Sequence, residues 1–357
     1  MKKVIVTLLI LIFISEITIA QRTPKYSNEF LSIGVGARAL GMFNTQTAIV
    51  NDVTAGYWNP AGLVELGSDY EASLMHAEYF AGIAKYDYAA FATKIDSASS
   101  LGLSIIRFAI DDIPDTRFLY DANGALNYDN IRFFSSADYA FLISYGRKVN
   151  FLDGLNVGGN FKIIHRVVGE FATAWGFGLD MGAKLNHKNW QFGVMLKDIT
   201  GTFNAWNHNT SLVADVYAQT GNEIPKNSVE VTLPKAIFGV ARYQKIRSKF
   251  GVLGSLDIVS SYDGKRNVLI KSDIVSLDPS LGFEFDYLKT VFLRFGAGNI
   301  QEIKSFDGST YHTVQTNFGI GVKIKQVTID YALTDIGDQS ASLYSNVFSL
   351  KASFNKP

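Results

Sequence analysis

The sequence predicts an all-β transmembrane antiparallel β-barrel of about fourteen strands with an N-terminal hatch, and three observations predict it. From Trp175 to Leu185 one alternate series is Trp175, Phe177, Leu179, Met181, Ala183 and Leu185, and the other is Gly176, Gly178, Asp180, Gly182 and Lys184. Strict period-2 alternation marks a strand with one apolar face and one polar face. At about 3.3 Å per residue and a tilt near 45° this stretch rises roughly 25 Å, the height of a membrane barrel's apolar band. Second, 17 tyrosines, 26 phenylalanines and 31 glycines accompany only 18% charged residues, the pairing of girdle aromatics and small residues found in barrels. Third, long connections are expected after odd strands and short ones after even strands, without exception, which places both termini on the periplasmic side of an outer membrane.

Taken in order, Lys2 and Lys3 precede an apolar run from Val4 to Ile14 and the small-residue site before Gln21. Residues 1–20 therefore read as a signal peptide. Beyond it no run of about eighteen apolar residues remains for a membrane helix. Residues 21–67 are not strand-like: Gly34, Gly36, Gly41, Gly56 and Gly62 break short apolar pieces, and Asn51-Asp52 and Asn59-Pro60 signal turns or caps. They are expected to form a hatch of short helices. Residues 68–357 read as the barrel, with clear alternation around Phe192, Phe283, Phe318 and Phe348 and a poorly alternating stretch from Leu101 to Ile110. The expected long loops are Asp111–Phe133, Gly201–Val231, Tyr262–Ser280, Asn299–Thr310 and Asp335–Ser342. Asp180, Lys184, Lys197, Asp257, Glu284, Asp286, Arg294, Asp330 and Lys351 fall on the lumen series. Charges enclosed in this way are expected to pair, because a lone dry charge is costly.

Several chemistries find no footing. The chain has no cysteine, hence no disulfide framework and no thiol chemistry, and 33 basic against 33 acidic residues give no field directed at nucleic acid. His76, His165, His187, His208 and His312 lack metal-ligand spacing. The only hydrolytic arrangement they suggest joins His165 to Ser255 or Asp257, and nothing in the sequence brings these together. Gly34-x-Gly36-x-x-Ala39 fits a loose dinucleotide fingerprint but lacks the βαβ unit such a site needs. No enzyme activity and no cofactor are expected.

The most specific stretch is Trp58-Asn59-Pro60-Ala61-Gly62-Leu63, preceded by Gly36-Ala37-Arg38-Ala39-Leu40-Gly41-Met42 and by Asn51-Asp52. Here the chain resembles the FadL-type outer-membrane proteins, whose hatch carries an Asn-Pro-Ala sequence, and within them the PorV/PorQ branch associated with the type IX secretion system of Bacteroidetes. That resemblance implies a fourteen-stranded barrel and places Asn59, Pro60 and Ala61 in the hatch, inside the lower barrel. It also implies a non-enzymatic role in receiving or docking exported proteins, with other secretion-system proteins or cargo as partners besides membrane lipid. The greasy loop holding Phe203, Trp206, Leu212, Val213, Val216 and Tyr217 is the candidate contact surface, since exposed apolar patches usually mean binding. Leu212, Val213, Val216 and Tyr217 fit one face of a short helix. The wider FadL resemblance implies the alternative, passage of small hydrophobic molecules gated by the hatch.

Overall fold

The computed structural model describes residues 27–121, 123–214, 217–218, 221, 223–335 and 344–356. The expected signal peptide, the start of the expected hatch and Val216 lie outside the described residues.

The wall is a closed antiparallel barrel of fourteen strands, as the alternation predicts. In chain order they are β1 Tyr70–Tyr79, β2 Ala84–Lys94, β3 Ser99–Asp115, β4 Arg132–Lys148, β5 Leu155–Val168 and β6 Ala172–His187. Next come β7, Trp190–Lys197 continued as Thr202–His208, and β8, Ser228–Thr232 continued as Lys235–Ile246. Then follow β9 Phe250–Ser261, β10 Ser276–Tyr287, β11 Val291–Lys304, β12 Thr310–Ile324, β13 Val327–Thr334 and β14 Ser345–Phe354. A two-residue segment, Ile270–Lys271, folds back along the upper end of β10. The barrel closes where Tyr70 of β1 pairs with Phe354 of β14.

The opening strand of the sequence reading is the middle of β6, and its faces are as predicted. Trp175, Phe177, Leu179 and Met181 point outward and are 38–57% exposed, whereas Gly176, Asp180 and Lys184 face the lumen. Phe283 and Phe285 also point out, and their neighbours Glu284 and Asp286 point in. A closed sheet with this outer surface is suited to lipid. Among the described residues no helix is long and apolar enough to cross a membrane.

The weak alternation of Leu101–Ile110 has a simple cause. Leu103 and Ile105 face outward beside Arg107, and inside, Ile106, Phe108 and Ile110 pack on the apolar part of the N-terminal segment, so apolar residues stand on both faces and a charge on the outer one.

The strict alternation of loop lengths does not hold. The long connections, residues 116–131, 209–227, 262–275 and 335–344, all follow odd strands, but the β1–β2 and β5–β6 hairpins turn within residues 80–83 and 169–171. Asn299–Thr310 is mostly wall, because β11 continues to Lys304 past a bulge between Gly298 and Gln301. The expected loop Gly201–Val231 is likewise shorter, because β7 resumes at Thr202 and β8 begins at Ser228. We call the end bearing the uniformly short turns lower, and the other upper.

Candidate functional site

Residues 27–67 lie inside the barrel and set its internal geometry. Wall glycines on successive strands face this segment with no room for a side chain. A Cβ on Gly158 of β5 would stand 2.5 Å from the Pro60 carbonyl carbon, and one on Gly182 of β6 would stand 2.1 Å from Asn59 Oδ1. On Gly193 of β7 it would meet the Thr47 carbonyl oxygen at 2.2 Å, and on Gly296 of β11 the Met42 carbonyl carbon at 2.3 Å. The inserted backbone thus touches wall backbone around much of the circumference, an approach only glycine allows.

The motif residues each have a place in this packing. Asn59 is fully buried, and its Nδ2 donates to the carbonyls of Thr47 at 2.9 Å and Ala183 at 3.1 Å. Its Oδ1 accepts from Ala61 N at 3.2 Å, capping the short turn Pro60–Glu65, where Pro60 needs no donor. Trp58 Nε1 donates to the Val35 carbonyl at 3.0 Å and its ring stands edge-on to Tyr57. Gly62 abuts the Val50 carbonyl, Gly41 abuts Gly319 of β12, and Gly36, at φ +85°, donates its N–H to Met75 Sδ at 2.9 Å. Asn51 is exposed toward the lower opening.

Six of the nine expected lumen charges, Asp180, Lys184, Glu284, Arg294, Asp330 and Lys351, form ion pairs, several with the inserted segment, whereas Lys197, Asp257 and Asp286 meet only neutral partners. Arg38 forms a two-pronged pair with Glu284, at 2.9 and 3.0 Å, and Arg294 joins Glu284 to Asp330 at 2.7 Å each. Lys351 reaches Asp52 at 2.6 Å, and Lys184 reaches Glu65 at 2.8 Å and the Val50 carbonyl at 2.5 Å. Asp257 accepts from Thr47 N at 2.9 Å, Asp286 from the Tyr243 hydroxyl at 3.2 Å, and Lys197 sits 4.3 Å over the Tyr57 ring. Burial disfavours a charged Asp52, but Lys351 and Arg38 outweigh it and hold the carboxyl well below the usual carboxylate range. Burial pushes the Tyr57 hydroxyl well above its ordinary value.

Sequence reasoning missed a second buried cluster. Where β7 breaks at residues 198–201, Lys162 pairs with Asp180 at 2.7 Å and with Asp198, which also bonds Thr202. The break has two visible signals, Gly201 at φ +68° on one strand and Pro234, with no N–H for the ladder, opposite it.

Two of the residues assigned to the greasy loop belong to the wall. Phe203 faces outward on β7, 5.8 Å from the Phe177 ring, because the strand resumes after its break. Trp206 faces inward from the same strand, its ring 5.1 Å from the Arg166 guanidinium, which pairs with Asp138. Leu212 closes the turn Thr210–Leu212, and its carbonyl accepts from Arg117 at 2.5 Å; Val213 and Tyr217 are half-buried and joined by a backbone bond. The imagined hydrolytic pair is excluded by orientation: His165 points out and stacks on Trp175 at 4.1 Å, while Ser255 and Asp257 point in.

Two cavities flank the inserted segment. The upper one, of about 380 Å³, is lined by Ile33, Leu40, Phe43, Tyr57, Trp58 and Ile237, with Lys197, Lys235 and Asp278 among its polar residues. The lower one, of about 440 Å³, is lined by Arg38, Ile49, Asn51, Glu284, Arg294 and Lys351 and opens among Lys188 and Lys289 of the short turns and Lys323 at the lower end of β12. Leu40, Phe43 and Thr47 face the first and Arg38, Ile49 and Asn51 the second, so residues 38–51 are the partition between them.

The chain matches no family model and no curated protein. Its fold is that of several solved structures. The CymD monoaromatic hydrocarbon channel superposes with a TM-score of 0.56 at 12% identity, over 91% of this chain and 98% of its own. The Ralstonia pickettii toluene transporter TbuX gives 0.53 at 13% identity, over 90% and 99%. A Pseudomonas aeruginosa FadL homologue gives 0.51 at 11% identity, over 89% and 97%. The chain therefore shares the barrel fold of these three proteins.

Proposed function

We propose that this chain is a non-enzymatic outer-membrane barrel, with both termini periplasmic, that passes small hydrophobic molecules through its lumen past a hatch formed by its N-terminal segment. One observation carries the reading: a cavity walled by Ile33, Leu40, Phe43, Tyr57, Trp58 and Ile237 at the long-loop end is divided from a lower, charged cavity by a single stretch, residues 38–51. Concave sites lined by aromatic and aliphatic side chains with a few polar groups are what small ligands occupy. The hydrocarbon channels that share the fold support the same class of cargo. Liposomes holding the purified barrel should take up labelled toluene or fatty acid faster than empty ones, and Ile237→Trp, which fills the upper cavity, should cut that rate several-fold. Uptake no faster than in empty liposomes rejects the reading.

The docking of exported proteins in type IX secretion is a second reading. It is supported by the Trp58-to-Leu63 motif and by the close seating of the hatch, which suits a closed barrel that works through its upper loops. Phe203 and Trp206 no longer serve it, leaving the loop 209–227 with Leu212, Val213, Val216 and Tyr217. Deleting that loop should abolish cargo capture while the barrel still assembles; unchanged secretion and surface attachment reject this reading.

A further inference from the structure

On most of the wall the outward series is apolar across the whole lipid-facing band, and on β1–β3 it is not. Outward from β6, Leu185, Ala183, Met181, Leu179, Phe177 and Trp175 follow one another without a charge. Outward from β1, Tyr70, Ala72 and Leu74 give way to His76 and Glu78; β2 adds Lys85 and Asp87, and β3 adds Arg107 and Asp111. These side chains are 33–57% exposed. They form two groups: His76 Nδ1 lies 2.7 Å from Asp87 Oδ1, Arg107 donates to Asp87 Oδ2 at 3.2 Å and His76 Nε2 lies 3.7 Å from Glu78, while Lys85 donates separately to Asp111 at 3.0 Å.

Height makes the set unusual. His76 is only six residues up β1 from Tyr70, and Arg107 eight up β3 from Ser99. At about 3.3 Å per residue and a tilt near 45° they stand roughly 14–19 Å above the lower edge of a band about 25 Å tall. The same ladder row reaches Trp175, which is twelve residues up β6 from His187 and so at the upper girdle. At roughly 14–19 Å these charges lie a few ångströms above the midplane, where a charge on the lipid face is still costly. The bonds among them lessen that cost but leave His76, Glu78, Asp87 and Arg107 facing hydrocarbon, while Lys85 and Asp111, nine and twelve residues up their strands, stand at the upper edge of the band.

The composition of the patch selects what covers it. Three carboxylates against two cations give no excess positive charge to attract lipid phosphate. Glu78 stands eight residues up β1 and Arg107 eight up β3, so opposite charges lie at one height on either side of β2. A two-fold axis along the membrane normal beside β2 sets each Glu78 opposite Arg107 of the partner subunit, the self-complementarity an isologous contact requires. Leu74, Phe91 and Leu103 continue the face below, and Phe80 and Ile83, 46% and 62% exposed at the short β1–β2 tip of the upper end, continue it above.

From this the geometry points to a second copy of the chain as the occupant of the β1–β3 face. The inference rests on the membrane reading of the wall and is independent of what passes through the lumen.

The chain's lack of cysteine makes the test direct. In nanodiscs the full chain should have a dimer's native mass. Ile83→Cys should be joined to a dimer by a short bis-maleimide, and Ser309→Cys, at the β11–β12 tip, should not. Arg107→Glu should lower the cross-linked fraction at least tenfold, and the reversed pair Arg107→Glu with Glu78→Arg should restore it. Each variant is scored only as heat-modifiable folded barrel, so loss of folding is separated from loss of pairing. Monomers in nanodiscs, with or without retained phospholipid, overturn the inference. So does a dimer indifferent to Arg107→Glu, or a swap that fails to restore.

Discussion

The two halves of the inserted segment meet the wall in different ways. Residues 52–66 are packed without slack: Asn59, Ala61 and Leu63 are fully buried, Pro60 lies on Gly146 and Gly158, and Leu63 lies on Gly102. Of this half, only Tyr57 and Trp58 border the upper cavity, and none borders the lower one. Residues 38–51 also touch wall glycines, but they have a cavity on each side and hold the far wall through Arg38–Glu284 and through Thr47 N–Asp257. Close packing fixes a position because every displacement costs contacts in many directions. A few directed bonds can be exchanged for others. The difference locates any passage along residues 38–51 and makes residues 52–66 the anchor about which they are held.

The largest effect should come from violating the anchor. A valine at Gly158 collides with the backbone of Pro60 and Ala61, neither of which has anywhere to go, whereas the space beside Gly254 of β9 is bounded only by the Phe283 ring at 3.5 Å. Gly158→Val should cost at least about 3 kcal/mol and deplete the heat-modifiable folded form. Gly254→Val should leave it intact. Equal folding of the two variants would remove the distinction between a packed half and a bonded one.

A smaller pair of variants sharpens the same contrast. Asn59→Ala strands the buried carbonyls of Thr47 and Ala183 and uncaps the Pro60–Glu65 turn, a loss of roughly 3 kcal/mol in urea unfolding with uptake unchanged. Arg38→Ala removes a two-pronged bond, but Glu284 keeps Arg294, so about 2 kcal/mol is expected. Here the uptake rate should rise, because Arg38 ties the partition to the wall. If Asn59→Ala raised uptake and Arg38→Ala did not, the roles of the two halves would be reversed.

Much of this was legible in the sequence where a side chain answers to one environment. Phe177, Leu179 and Phe285 see only the outside and Asp180, Glu284 and Asp286 only the inside, so alternation named both faces and the strand count. Leu101–Ile110 failed to alternate because its inner face meets Leu63 and its neighbours rather than a polar lumen. The loop assignment of Phe203 and Trp206 failed for a different reason. Asp198–Gly201 looks like a strand end, and only the pairing of Thr202 with Thr232 shows that the ladder resumes. The wall glycines were visible as a repeated lumen-series residue, but their counterparts, Thr47 and Met42, are remote in sequence and carry no pattern that names them as contacts. Likewise Asn59-Pro60 announces a cap, and nothing local announces that its amide also bonds a wall carbonyl at Ala183.

The smallest expected effect concerns pH and again separates the halves, since Asp52 stands at their junction. Its carboxylate bonds Lys351 and the Thr54 N–H and hydroxyl, and the paired cations hold its folded pKa below the value near 3.9 of an unfolded chain. A carboxyl depressed on folding contributes stability that is fully present above the unfolded pKa and is lost as pH falls through the folded one. Asp52→Asn should therefore destabilise the barrel by about 1.5 kcal/mol at pH 7 and by the same amount at pH 5, the gap narrowing only below about pH 4. Urea midpoints at pH 7, 5 and 3 measure it. A gap already closed at pH 5 would mean that Asp52 titrates as an ordinary carboxylate, and that the junction is held by the packing of residues 52–66 alone.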